Sequence, residues 1–170
     1  MSNYRRIWMP GGTYFFTVNL LERHTKPLLV LHVDLLREAV KHARKRWPFD
    51  IHAFVVLPNH LHCVWTLPDG DNDNANRWRV IKQHFSKALP STEYRSSVRR
   101  KRGERGIWQR RYWARLIVDD ADYQAHVEYC HLNPLKHGLV DRVVDWPYST
   151  FHRYVKQGIY PENWCGDETR

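Results

Sequence analysis

The chain has 170 residues, 42% of them hydrophobic and 14% aromatic with eight tryptophans, which excludes a disordered tail and suits one domain burying roughly 70% of its unfolded surface. Lys and Arg outnumber Asp and Glu by 27 to 18, so the net charge of +9 favours an anionic partner, either nucleic acid or an acidic membrane surface. No run of 18 apolar residues exists, the start "MSNYRRIWMPGG" lacks the apolar stretch of a secretion signal, and Cys63, Cys130 and Cys165 show no CxxC spacing; a cytoplasmic protein with ordinary thiols is expected.

In chain order, "GTYFFTVNLLER" (12 to 23) is β-branched and aromatic and predicts a strand. "VDLLREAVKHARKRW" (33 to 47) sets Val33, Leu36, Val40, Ala43 and Trp47 on one helical stripe. "FDIHAFVVL" and "HLHCVWTL" predict two strands joined tightly through Pro58 and Asn59. A turn-forming acidic segment, "PDGDNDNAN", leads to a second amphipathic helix over 76 to 89 with Trp78, Ile81, Phe85 and Leu89 on its stripe. A basic loop over 90 to 106 precedes a fourth strand, "WQRRYWARLIV" (108 to 118), after which Asp119 or Asp120 can cap a helix beginning near Ala121. The order β-α-β-β-α-β plus one more helix predicts an α+β, ferredoxin-like fold with a four-stranded antiparallel sheet. Two helices cover one face; the last helix, or a nucleic-acid strand, is expected on the other.

From Ser91 to Arg115 nine Lys or Arg stand against two Glu, so this stretch holds +7 of the total charge. A solvated face is one explanation. The neighbours Trp108, Tyr112 and Trp113 point to another, since arginine for phosphates beside aromatics for base stacking suits unpaired nucleic acid.

Side chains alternate along a strand, so His60 and His62 share one face while Leu61, Cys63 and Trp65 share the other. Two residues of rise is roughly 6.7 Å, within which both imidazoles can converge on one cation, although a hydrogen-bonded, partly buried pair is the plainer alternative. A catalytic divalent site needs a further ligand and an open position. In "DDADYQAHVEYCHLNPLKHG" the residues Tyr123, Val127 and Cys130 form an apolar stripe, and His126, Tyr129 and Asn133 form a second beside it. Pro134 is expected to end the regular helix, with Asn133 in its last turn. Tyr129 is either a half-buried packing residue or a nucleophile, and a phenol of pKa ~10 needs its proton removed or its target polarised to act as the latter.

These residues carry a resemblance. "HLH" after an apolar strand, "YCHLNPLKHGLV" about 70 residues later, and the flanking "GGTYFFTVNL", "VVLPNHLHCVWTLPDGD", "IWQRRYWA" and "DWPYSTFHRYVKQGIYPENW" resemble the single-tyrosine HUH transposases of insertion sequences, and are most similar to their REP-associated branch. The resemblance spans nearly the whole chain and implies a single domain over 1–170, with the basic loop at 90–106 and a C-terminal extension from about 139. It implies His60 and His62 as metal ligands, Tyr129 on the additional helix as nucleophile, and Asn133 as a third ligand where insertion-sequence relatives carry the longer glutamine. The implied ion is Mg2+ or Mn2+, although imidazoles alone would suit zinc, copper or nickel better; the motif offers no third His or Cys for a closed zinc site.

Such enzymes cut single-stranded DNA at REP-type hairpins, form a 5′-phosphotyrosine link, leave a free 3′-OH and can rejoin strands without a nucleotide cofactor. No GxxxxGK[ST] loop is present, in keeping with that. A bacterial, nucleoid-associated monomer with Tyr129 acting in its own chain is implied. Candidate DNA contacts are Arg5, Arg6, Arg95, Arg99, Arg100, Lys101, Arg102, Arg105, Trp108, Arg110 and Arg111; the last two fit a solvated strand edge equally well. The competing reading is a non-catalytic, RRM-like single-strand binding module, which lacks a "GFGFV"-type string here. A domesticated member that binds REP sequences without transposing would share the same residues.

Overall fold

Aromatic and β-branched residues alternate through "TYFFTVN", and in the computed structural model, which describes residues 8–22 and 26–166, they form the inner strand β1 (Thr13–Asn19). It pairs antiparallel with β3 (His60–Thr66) on one side and β4 (Trp113–Leu116) on the other, while β2 (Asp50–Val56) completes the order β2-β3-β1-β4. This is the expected ferredoxin-like, four-stranded antiparallel α+β sheet. A short α1 (Leu28–Leu31) precedes α2 (Val33–Arg46). The next helix, α3 (Asn74–Ala88), is capped by Asp73, whose carboxylate accepts from the Asn76 N–H at 2.8 Å.

One face of the sheet packs on α2 and α3. Alternation sends Tyr14, Phe16, Val18, Leu61, Cys63 and Trp65 to that side, where they meet Leu36, Val40, Trp78, Ile81 and Phe85 in the main core. Trp65 stacks on Trp78 with ring centroids 4.6 Å apart, and Phe16 packs against both. The opposite parity, Phe15, Val64 and the β2 residues Ala53 and Val55, meets Val127 and Cys130 of α5 (Asp120–Lys136). The helix that follows the last strand thus covers the second face. Asp119 caps it, accepting from the Asp122 N–H at 2.7 Å.

The chain beyond residue 139 forms a 3-10 turn (Val143–Asp145) and α6 (Phe151–Lys156), with a satellite cluster of Val143, Phe151 and Tyr160. It also seals the outer edge of β2. Val56 N–H donates to the Tyr148 carbonyl and Thr150 N–H to the Phe54 carbonyl, each at 2.9 Å, so an edge open to a foreign strand is closed within the chain.

Three sequence expectations need correction. The fourth strand is shorter than 108 to 118: β1 pairs Thr17 with Trp113 yet Leu20 with Trp108, so five residue steps face three and the segment holding Arg110 and Arg111 is looped out. The basic loop contains a helical turn, α4 (Ser97–Lys101), because the Ser96 hydroxyl caps it by accepting from the Arg99 N–H. Pro134 does not end α5, which runs to Lys136; so near the C-terminus a proline removes a single ladder bond, and the Asn133, Pro134 and Leu135 carbonyls are taken up by His137, Leu139 and Gly138.

Candidate active site

The register places the histidines. Thr17 of β1 lies opposite His62 and Asn19 opposite His60, and the Thr17 hydroxyl meets His62 Nδ1 at 2.8 Å, fixing that imidazole on the α5 side of the sheet. His60 and His62 are neighbours there, ring centroids 4.9 Å apart and nearly perpendicular. His60 Nδ1 lies 2.7 Å from Asn59 Oδ1, an acceptor, so Nδ1 donates and the lone pair sits on Nε2. Phe15 stacks on His62 at 5.6 Å and walls the site on the β1 side.

From above, α5 contributes Tyr129 and Asn133, one turn apart. The Tyr129 ring stands edge-on to His62 at 5.2 Å and to Phe15 at 5.7 Å, and the residue is 38% exposed. Tyr129 is therefore no interior packing residue. Asn133 is 1% exposed; its amide donates to the Tyr129 carbonyl at 3.4 Å, while its Oδ1 is buried without a hydrogen-bond partner. His126, on the same helical stripe, is turned back to the Asp122 carbonyl and packs on Phe15 at 4.8 Å.

Burial dominates the electrostatics of His62, pushing its pKa down to about 3. The neighbouring imidazoles of His60 and His137 act in the same direction, and the Asn133 side chain and the Phe16 backbone act against them. His62 is thus neutral at physiological pH, the form in which imidazole donates a lone pair. The buried thiols of Cys63 and Cys130 are pushed well up by desolvation, which keeps them inert.

Two side chains that the spacing argument passed over also reach the site. Lys136 places its ammonium 4.9 Å from the centre of the Tyr129 ring, and His137 packs against His60 at 5.1 Å. Both fall within "YCHLNPLKHGLV", and His137 lies four residues past Asn133, a helical signal that would have found it. Even so, among the described residues no three His, Cys, Asp or Glu side chains are disposed to hold a metal ion. The donors on offer are the two imidazoles and the Asn133 carbonyl.

The predicted DNA contacts divide. Arg5 and Arg6 lie outside the described residues. Arg105 is committed to structure: it grips Glu93 through two bonds and donates to the carbonyls of Ser86, Leu89 and Pro90, holding Glu93 down to about 2. Arg95 donates to the Glu104 carbonyl, and Arg110 pairs with the Glu104 carboxylate at 2.9 Å. Arg99 folds under Gly106, whereas Arg100, Lys101, Arg102 and Arg111 are exposed. Trp108 is not an open stacking surface, because it packs edge-on against Phe85 at 5.4 Å with its indole N–H buried.

No protein-family model matches the chain. It is 47% identical over 169 residues, 99% of its length and 94% of the relative's, to the REP-associated tyrosine transposase of Escherichia coli K12. A Haemophilus influenzae protein given the same name provisionally is 46% identical over 98% of this chain and 95% of its own. Among solved structures, that of a REP-associated tyrosine transposase bound to a REP hairpin superposes with a TM-score of 0.84 at 46% identity, covering all of this chain and 94% of the other. Identity at this level over essentially the full length, on the same fold, makes this chain a member of the REP-associated tyrosine transposases.

Proposed function

We propose that the protein is a metal-dependent single-stranded DNA endonuclease and strand transferase that recognises REP-type hairpins, with Tyr129 as nucleophile and His60, His62 and Asn133 as donors for Mg2+ or Mn2+. The observation carrying this reading is the meeting of a solvent-facing phenol on α5 with the histidine pair of β3 on one face of the sheet. The hairpin-bound relative supports the choice of DNA partner.

The residues suit a cation. His62 is held neutral by burial, His60 is oriented by Asn59, and the buried Asn133 carbonyl has no other hydrogen-bond partner. A divalent ion bound there would polarise a phosphate oxygen and offset the charge that develops on it. Tyr129 then has the task of attack: its oxygen bonds to phosphorus as the bond to the 3′-oxygen breaks, the phenolic proton passes to solvent, and the departing oxygen takes up a proton to become a 3′-OH. The phosphotyrosine ester retains the bond energy, so the reverse reaction rejoins strands. Lys136, against the Tyr129 ring, adds a positive charge where the phosphodiester must dock. Exposed Arg100, Lys101, Arg102 and Arg111 extend the field that would steer DNA toward this face. Because Tyr129 and the histidines meet within one chain, a monomer acting in cis is sufficient.

Incubation of a REP-hairpin oligonucleotide with the protein after EDTA treatment tests this. Cleavage should vanish, return with Mg2+ or Mn2+, and fail to return in His62→Ala under either ion. Cleavage indifferent to EDTA and to His62→Ala would contradict it, and binding without cleavage under all conditions would identify a non-catalytic module.

A further inference from the structure

Beside the outer edge of β2 lies a cleft of about 350 Å3 that is separate from the histidine site. One wall is α2 and the other is the segment 147–150 of the C-terminal extension, which main-chain bonds at 2.9 Å hold to Val56 and Phe54. The floor is apolar. Ile51, Phe54 and Val56 of β2 and Leu36 and Val40 of α2 line it, with the half-buried Tyr148 on the far wall.

The rim, by contrast, is cationic. Arg37, Lys41 and Arg44 follow one another at spacings of four and three and so share one stripe of α2, and Arg153 adds a fourth charge from α6. Among the described residues no Asp or Glu lines the cleft. Arg37 and Lys41 pair with Asp34 and Glu38 of their own helix, but these are exposed contacts that a competing anion displaces at little cost. Among the described residues Arg44 and Arg153 bond to carbonyls rather than carboxylates: Arg44 Nε donates to Phe49 at 3.0 Å, and Arg153 donates to Ile51 and His52 at 3.0 and 2.7 Å. A carbonyl orients a guanidinium without cancelling its charge. Both arginines are therefore preset at one end of the cleft, with N–H groups to spare for a phosphate.

The other end approaches the histidines. It is formed by Val56, and the next residue, Leu57, donates its N–H to the His60 carbonyl at 2.9 Å across the β2–β3 turn. Between Ile51 and Val56 the cleft follows about 16 Å of strand. Apolar and aromatic surface below a row of cations suits an unpaired nucleotide, which offers a ring face and a phosphate, and the small volume excludes a duplex.

We propose that this cleft binds an unpaired nucleotide of the DNA strand adjoining the REP hairpin, its base packed against Phe54 and Tyr148 and its phosphate held by Arg44 and Arg153. These are positioning residues, apart from the reacting centre. The inference rests on the reading of the protein as a REP-hairpin nuclease, and the following experiment separates the two.

Full-length protein carrying Tyr129→Phe, to prevent turnover, is titrated at one salt concentration with a blunt REP-type hairpin and with the same hairpin bearing single-stranded extensions at both ends. Tyr148→Leu should weaken binding of the extended oligonucleotide about tenfold, and Tyr148→Phe should restore most of the loss. Arg37→Gln combined with Lys41→Gln, both on the exposed side of α2 and harmless to the fold, should weaken it about fivefold. All of these variants should leave the blunt hairpin within twofold. With 5-iododeoxyuridine at successive extension positions, irradiation should join one position to the peptide containing Phe54 or Tyr148. Equal losses for both oligonucleotides, or an unchanged extended one with no link to either peptide, would overturn the cleft as a DNA site while leaving the nuclease reading intact. A dimer in sedimentation that the same variants dissolve, with extension binding unchanged, would overturn it in favour of a second copy of the chain. Failure of the parent protein to bind either oligonucleotide would overturn both readings.

Discussion

On the side of the sheet covered by α2 and α3, Phe16, Trp65 and Trp78 interleave at ring distances of 4.6 to 5.4 Å, and the Trp65 indole N–H is satisfied by Asn74 Oδ1 at 2.7 Å. On the side covered by α5, the same strands present His60, His62 and Thr17 to a helix that answers with Tyr129 and Asn133. Among the described residues the first face has unpartnered polar atoms too, including the indole N–H groups of Trp78 and Trp108, Asn74 Nδ2 and His84 Nδ1. On the second face an unpartnered carbonyl sits beside two imidazoles and an exposed phenol. The contrast teaches that β1 and β3 serve two roles through one alternation: one parity supplies the apolar area that holds the fold, the other supplies a polar cluster around the buried Asn133 carbonyl.

The sharpest way to break this division is to remove a ring from the first face. Trp65→Ala should destabilise the protein by about 3 to 5 kcal/mol, read as a shift in urea midpoint; a loss below about 1 kcal/mol would deny that face its role as the stabilising core. Next in size is a change on the second face with the opposite sign. Asn133→Leu keeps the volume and removes a buried carbonyl without a hydrogen-bond partner, a gain larger than the loss of the long 3.4 Å bond from its amide to the Tyr129 carbonyl, so stability should rise by up to about 1 kcal/mol as cleavage is lost. A marked destabilisation would instead make Asn133 a structural residue. The smallest effect lies outside both faces, in the brace that Arg105 forms with Glu93. The Glu93 pKa falls from its ordinary 4.5 to about 2, chiefly through the Arg105 hydrogen bonds. Its stabilisation is therefore present above pH 4.5 and lost as pH falls toward 2. With the carboxylate partly open to solvent, about 0.5 kcal/mol is expected. Glu93→Gln should flatten that limb of the acid-unfolding curve while leaving the rest unchanged.

Much of this division was legible before any coordinates. Period-two and period-3.6 patterns gave all four strands and the three long helices, and alternation alone put His60 and His62 opposite to Leu61, Cys63 and Trp65. The spacing of Tyr129 and Asn133 on one helix brought them to the same site. Legibility failed where tertiary contacts override local signals. Trp108 reads as a nucleic-acid aromatic from its arginine neighbours, as Trp113 does, but packing against Phe85 claims it, whereas Trp113 is half exposed on the α5 side of the sheet, a side that only the register with Thr17 reveals. Arg105 resembles its exposed neighbours in sequence, and its capture by Glu93 and three carbonyls depends on a fold of the loop that composition does not encode. Lys136 and His137 escaped because Pro134 suggested that the helix had already stopped.

The account stands most directly on the fate of Tyr129. A REP-hairpin oligonucleotide incubated with the protein and Mg2+, run on a denaturing gel and followed by mass analysis of the tryptic peptides, should give a covalent adduct on the peptide containing Tyr129, absent with Tyr129→Phe and accompanied by a product with a free 3′-OH. Cleavage retained at wild-type rate in Tyr129→Phe, or an adduct on any other residue, would contradict it.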